Sequence, residues 1–190
     1  MKAVLASLKP YYYYLVGEGI KTIEVRKGMP KSEDWDRDTF FYMSKDEKSF
    51  AKIPKEFQEK YRKHFGKVGL RFVCDRIDNK HLDDLIIKED CERALQGTCL
   101  TKQDILAYLS YTRGTDIRQN YKRWCFYGWQ ISNLKIYDKP KELSEFNLSC
   151  NFNGSCFICS RATFDNTNTL MCRNKLTRPP QSWCYVEVSE

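Results

Sequence analysis

Residues 19–26 read Gly-Ile-Lys-Thr-Ile-Glu-Val-Arg, and the alternation inside this octapeptide constrains the fold more than any other stretch of the chain. Ile23 and Val25 alternate with Thr22, Glu24 and Arg26, the period of two of a half-buried strand. In that geometry Thr22, Glu24 and Arg26 share one face and the two β-branched residues take the other. Upstream, Lys2–Leu8 is strand-like, Pro10 suits the first turn of a helix over Tyr11–Val16, and Gly17 and Gly19 suit its end. The first 26 residues therefore predict strand, short helix, strand.

A strand carrying one acid and two bases within three pleats has two readings. One is a solvated face whose cross-pairing contributes well under ~1 kcal/mol. The other is the floor of a site for a polar, anionic ligand, with Lys21 at the strand entrance.

Gly19, Lys21, Glu24 and Arg26 spell G-x-K-x-x-E-x-R directly after the first helix, and Leu5-Ala6-Ser7-Leu8-Lys9-Pro10 precedes that helix. In these segments the chain resembles the ASCH family, a branch of the PUA-like β-barrels. With Tyr127-Gly128-Trp129-Gln130-Ile131-Ser132 and the tail from Arg178 to Glu187, the resemblance spans nearly the whole chain. It is then to the longer ASCH-like proteins carried by phages and prophages of Gram-positive bacteria. It implies one α+β domain over residues 1–190: a small PUA-like mixed β-barrel flanked by short helices.

The resemblance also implies a cleft that binds RNA or a nucleotide-like ligand. Lys21 and Arg26 would meet phosphate or a base carbonyl, arginine being suited to planar two-pronged contacts. Glu24 would orient Arg26 or accept from an exocyclic amine. Lys9 and Arg178 join the ligand-binding set, Arg178 presented in extended chain by the two prolines that follow it. Trp129 and Trp183 serve either as stacking platforms for bases or as core residues.

Two activities in the family offer an enzymatic alternative, in which Lys21 and Glu24 act as an acid–base pair on RNA or a modified nucleoside. One is cleavage of RNA. The other is hydrolysis of an acylated cytidine by a lysine, a threonine and a glutamate. Lys21 matches that lysine, but Glu24 stands where the threonine is expected, so the hydroxyl nucleophile is missing. No Ser-His-Asp or Cys-His arrangement, Walker-type loop or dinucleotide fingerprint is apparent in the sequence. A third alternative is a protein-interaction module working through the Cys-rich segment described below.

Thirty-two Lys and Arg against 25 Asp and Glu leave a formal charge of +7, which favours a polyanionic partner. No run approaches the roughly eighteen apolar residues of a membrane span, and the apolar N-terminal stretch is too short for a signal peptide. The expectation is a cytoplasmic protein without a membrane. Nine cysteines in that compartment would be thiols or metal ligands rather than disulfides.

Further along, Thr39–Met43 reads as a strand. Pro54 opens a helix in which Ile53, Phe57, Tyr61 and Phe65 recur every four residues. Residues 68–77 read as one strand, 78–99 hold a short helix ending at Gly97, and Thr101 to Asp104 caps a helix over 105–109. Residues 112–120 form a polar loop in the most basic neighbourhood, with Arg113, Arg118, Lys122 and Arg123. Residues 124–137 read as a long aromatic strand stopped by Asp138-Lys139-Pro140, and 182–188 as the closing strand. Five or six short strands with two or three helices agree with a small mixed α+β barrel.

Residues 147–176 break the pattern and read as a polar insertion. They carry Cys150, Cys156, Cys159 and Cys172, with Cys156-Phe157-Ile158-Cys159 as a knuckle. Four thiolates at this density suit a tetrahedral structural Zn2+, which would fold a segment too polar to bury much apolar surface; small buried thiols without metal are the alternative. Cys74, Cys125 and Cys184 fall in strands and read as core. For the zinc, metal analysis of protein purified without chelator is expected to return about one equivalent, and none would argue against the site.

Overall fold

The computed structural model describes residues 2–31, 37–81, 85, 88–110, 125–149, 162–164, 170–172 and 175–188. The predicted opening is observed: β1 (Lys2–Leu8), α1 (Pro10–Gly17) and β2 (Ile23–Arg26). Pro10 begins α1, and Gly19 ends the turn after it with φ 71°, a left-handed conformation open to glycine at little cost. The amides of Ile20 and Lys21 both donate to the Leu15 carbonyl, which closes the helix and aims the chain into β2.

The other strands are β3 (Asp38–Met43), β4 (Val68–Val73), β5 (Ile77–His81), β6 (Cys125–Gln130), β7 (Ser132–Lys141), β8 (Asn147–Leu148), β9 (Ala162–Phe164), β10 (Leu170–Cys172) and β11 (Trp183–Glu187). The remaining helices are α2 (Glu47–Phe50), α3 (Lys55–Arg62), α4 (Lys88–Leu95) and α5 (Lys102–Ser110).

Among the described residues the strands form no closed barrel. They form a six-stranded sheet in the order β7-β4-β3-β1-β11-β8, a three-stranded sheet β2-β6-β5 and a hairpin β9-β10. In the larger sheet β1 runs parallel to β3 and antiparallel to β11, so the closing strand lies beside the first.

The expected barrel gives way to two sheets because two continuous strand patterns break at matching points. Residues 68–77 divide into β4 of the large sheet and β5 of the small one. Residues 124–137 divide likewise into β6 of the small sheet and β7 of the large one. The two changes of sheet are tied together: Ser132 Oγ donates to the Val73 carbonyl (2.8 Å) and the Gln130 amide to the Arg76 carbonyl (2.9 Å). Such corners, where strands pass from one sheet to another, are characteristic of orthogonal packing. Asn133, at φ 49°, sits at this corner.

Pro140 does not stop β7, which continues to Lys141. β7 is the edge of its sheet, where a residue without an N–H is tolerated, and its register with β4 shifts between Ile136 and Lys141.

β1 is buried on both faces. Val4, Ala6 and Leu8 pack with Tyr13, Val16, Phe41, Phe50, Tyr61 and Phe72 under α1–α3, while Ala3 and Leu5 pack with Phe40, Val68, Phe146 and Val186 on the other side. A third cluster joins Val25 and Phe126 of the small sheet to Leu85, Ala94, Ile105 and Leu109, which places α4 and α5 over that sheet's outer face. The predicted stripe of α3 is present: Ile53 and Tyr61 are buried, and Phe57 and Phe65 pack against the same cluster. At the root of the Cys-rich segment, Asn147 and Lys175 form an antiparallel bridge and the Leu176 amide donates to the Phe146 carbonyl. No helix among the described residues is long and apolar enough to cross a membrane.

His64 is fully buried beside Tyr13, whose hydroxyl lies 3.0 Å from Nδ1. A Cβ at Gly69 would stand 1.8 Å from that nitrogen, so only glycine lets β4 pass here. Burial, with Lys63 and Lys60 nearby, pushes the His64 imidazole down to about 4 from 6.5. The unfolded chain therefore binds the extra proton between those values, and stability is lost as pH falls from about 6.5 to 4. Urea unfolding is expected to show up to about 3 kcal/mol of such loss in the native chain, and a shallower loss in His64→Asn.

Candidate functional site

The signature residues meet at the junction of the two sheets. β2 pairs with β6 in the register Glu24↔Trp129 and Arg26↔Tyr127, so these four side chains share the face of the small sheet turned toward the large one. The opposite face carries Val25 into the α4/α5 cluster. The strand is thus covered on both sides, against the expectation of one solvated face. Lys21, Glu24 and Arg26 are 2%, 5% and 5% exposed, whereas Thr22, which precedes β2, is exposed.

The three charges form one chain. Lys21 Nζ donates to the carbonyls of Ile23 (2.7 Å) and Thr98 (2.6 Å) and stands 3.5 Å from Glu24 Oε2. Arg26 Nε lies 2.9 Å from Glu24 Oε1, an ion pair whose geometry falls short of a hydrogen bond. Arg26 Nη1 donates to the Ser182 carbonyl (2.9 Å), and Nη2 donates to the Ser7 carbonyl (2.8 Å). Arg26 thereby clamps β2 to β1 and to the segment that enters β11. Lys21 clamps β2 to the turn after α4, whose Gly97 carbonyl also accepts from the Thr22 and Ile23 amides. Burial lowers the Lys21 pKa, with Glu24 opposing that shift.

The cationic donors are therefore directed mainly at protein acceptors. Glu24 retains acceptor capacity, since an ionised carboxylate offers about four lone-pair sites.

Two tyrosines that the motif does not mark flank this chain. Tyr12 of α1 is half-buried, with its ring centroid 5.8 Å from Lys21 Nζ; burial, then Asp104, then Glu24 raise its pKa. Tyr108 of α5 is half-buried under Lys27 (4.8 Å); burial raises its pKa, Arg26 lowers it and Glu24 raises it. Glu24 thus acts electrostatically on both rings. Their signal in the sequence was weak: Tyr12 lies inside a run of four tyrosines, and Tyr108 on a helix distant in sequence from the signature.

The other expected site residues divide. Trp129 is fully buried, with its ring against Trp183 at 6.0 Å, and belongs to the core; as a stacking platform it is ruled out by its own burial. Trp183 is half-buried and also touches Tyr185 at 5.4 Å. Lys9 precedes α1 and is exposed. Arg178 is exposed, two residues before Pro180, whose carbonyl accepts from Ser7 Oγ at 2.7 Å. Cys150, Cys156 and Cys159 lie outside the described residues, as do Arg113, Arg118, Lys122 and Arg123. Cys172 is in β10, described in its backbone. Among the described residues no cluster of three or more His, Cys, Asp or Glu side chains is arranged to hold a metal.

No family model matches the chain, and no curated protein matches it. The solved structures to which it is similar are ASCH proteins of Zymomonas mobilis. For the ASCH protein itself the identity is 16% and the TM-score 0.45, over 97% of this chain and 87% of that one. For one point mutant the identity is 13% and the TM-score 0.46, over 97% and 88% of the two chains.

Removing Arg26 strands a buried carboxylate and two carbonyls at once. Arg26→Ala is expected to cost about 3–5 kcal/mol in urea unfolding, with Arg26→Lys restoring only part because an ammonium cannot reach all three acceptors in the same plane. A loss under about 1 kcal/mol would show that the clamp does not bind the sheets together.

Proposed function

We propose that this chain is an ASCH-type module that binds single-stranded RNA or a nucleotide-like ligand over the Lys21–Glu24–Arg26 face. The observation that carries the reading is a buried carboxylate held between two cations, with two half-buried rings nearby, Tyr12 5.8 Å from Lys21 Nζ and Tyr108 4.8 Å from Lys27 Nζ. Stacked aromatic rings hold unpaired bases, and a carboxylate acceptor reads an exocyclic amine or ring N–H. The signature resemblance supports the same ligand class, and the tail from Arg178 supports a phage or prophage accessory role.

Within this reading Lys21 and Arg26 shape the floor, because their donors are directed at Ile23, Thr98, Ser182 and Ser7. Phosphate contacts fall to Lys9, Lys27 and Arg178, which are exposed. Trp183, half-buried beside Trp129 and Tyr185, serves in this reading as a further stacking residue. A hydrolytic use of Lys21 and Glu24 is favoured by one feature, the burial that lowers the Lys21 pKa and eases its loss of a proton.

Fluorescence anisotropy with a labelled mixed-sequence RNA oligomer tests the proposal without disturbing the buried clamp. Tyr12→Ala and Tyr108→Ala are each expected to weaken binding about tenfold, the range of one lost base–aromatic stack. Unchanged affinity in the double variant would sink the assignment. The same reactions run on a denaturing gel read hydrolysis: shortened RNA that disappears with Glu24→Gln would make the module an enzyme.

A further inference from the structure

The β5–β6 pair ends in a thiol and an imidazole side by side. His81 and Cys125 are directly opposite in the antiparallel register, and Cys125 Sγ stands 3.3 Å from His81 Nδ1. Cys125 is half-buried and His81 exposed, so the sulfur is reachable and its neighbour is wet. Register places them on the sheet face that carries Tyr127, two residues further along β6, and its β2 partner Arg26.

This pair differs from the other described thiols. Cys74 is buried and Cys184 half-buried, and burial pushes their thiols up to about 12 and about 11, which keeps them protonated and inert. Cys99 is exposed, but its sulfur faces the Ile20 carbonyl (3.4 Å), which accepts a proton bond and cannot take the proton away. Only Cys125, among the described cysteines, is shown with a basic side chain at hydrogen-bond distance. A nucleophile beside a base is the arrangement that activates thiols.

We propose that Cys125 and His81 form a reactive thiol–imidazole pair, a modification site that exchanges with small disulfides. With its ring proton on Nε2, His81 accepts the Cys125 proton at Nδ1. The thiolate attacks one sulfur of the disulfide, a new S–S bond joins Cys125 to that half, and the old S–S bond breaks. The other half leaves as a thiolate and takes the proton from His81, so one thiol and one disulfide are consumed and one of each is produced. The site does not depend on the RNA reading.

Full-length protein is incubated with oxidised glutathione at pH 7.4, quenched with acid over a time course, and mapped by peptide mass spectrometry. Cys125 is expected to carry glutathione at least about tenfold faster than Cys99, and to fall to the Cys99 rate in His81→Asn. Circular dichroism of that variant, expected to match the native chain, separates lost activation from lost structure. His81→Phe, which keeps a ring but no acceptor, should behave as His81→Asn does. Modification of Cys125 no faster than Cys99, or at an undiminished rate in both His81 variants, overturns the proposal.

Discussion

The buried ion chain Lys21–Glu24–Arg26 is the constraint around which the rest of the molecule is arranged. Two cations and an anion out of water carry a desolvation cost that an apolar interface of the same volume would avoid. The cost is offset only while each group keeps its partners, and those partners come from four places: β2 itself, the turn after α4, the end of β1 and the entry to β11. The small sheet can therefore sit against the large one in one arrangement. A brace that is expensive to bury and exact in its partners specifies geometry more than it adds stability.

The same brace changes what the signature means chemically. Read as a list, two basic residues and one acid look like an anion site. With Lys21 and Arg26 directed at backbone carbonyls, the remaining capacity of the floor belongs to the carboxylate, and the apolar contact area to Tyr12 and Tyr108. In the proposed function, anion binding falls to exposed lysines and arginines, where charges keep their hydration and contribute through long-range attraction. The second unusual feature of the small sheet, the Cys125–His81 pair, stands on the same face but draws on different chemistry.

Much of the architecture was legible along the chain. Pro10 and the Gly17–Gly19 pair bounded α1, the four-residue recurrence from Ile53 to Phe65 marked α3, and short strand-like runs marked β1, β3 and β11. These are local signals, because a helix stripe or strand pleat is written in neighbouring residues. The changes of sheet at 74–76 and at Ile131 leave only a local trace, a one-residue slip of the apolar phase from Cys74 to Ile77 and from Ile131 to Leu134; the change of sheet itself is held by cross-chain bonds from Ser132 to Val73 and from Gln130 to Arg76. Pro140 misled for a related reason: its cost depends on whether its strand is an edge.

The sequence by itself determined which residues are polar, apolar and turn-forming, and so the elements of the N-terminal unit and the placing of Glu24 and Arg26 on one side of a strand. Tertiary structure decided what that side faces. Thr22 shares the alternation yet is exposed, while Glu24 is buried between Lys21 and Arg26, which are held by Thr98, Ser7 and Ser182, residues up to 156 positions away. It also decided that Trp129 is core, that Tyr108 is half-buried against the Val25 cluster, and that Cys125 meets His81 across 44 residues. Periodicity reports the direction of a side chain relative to its own backbone; burial and partners depend on where the rest of the chain returns, and that is set by packing.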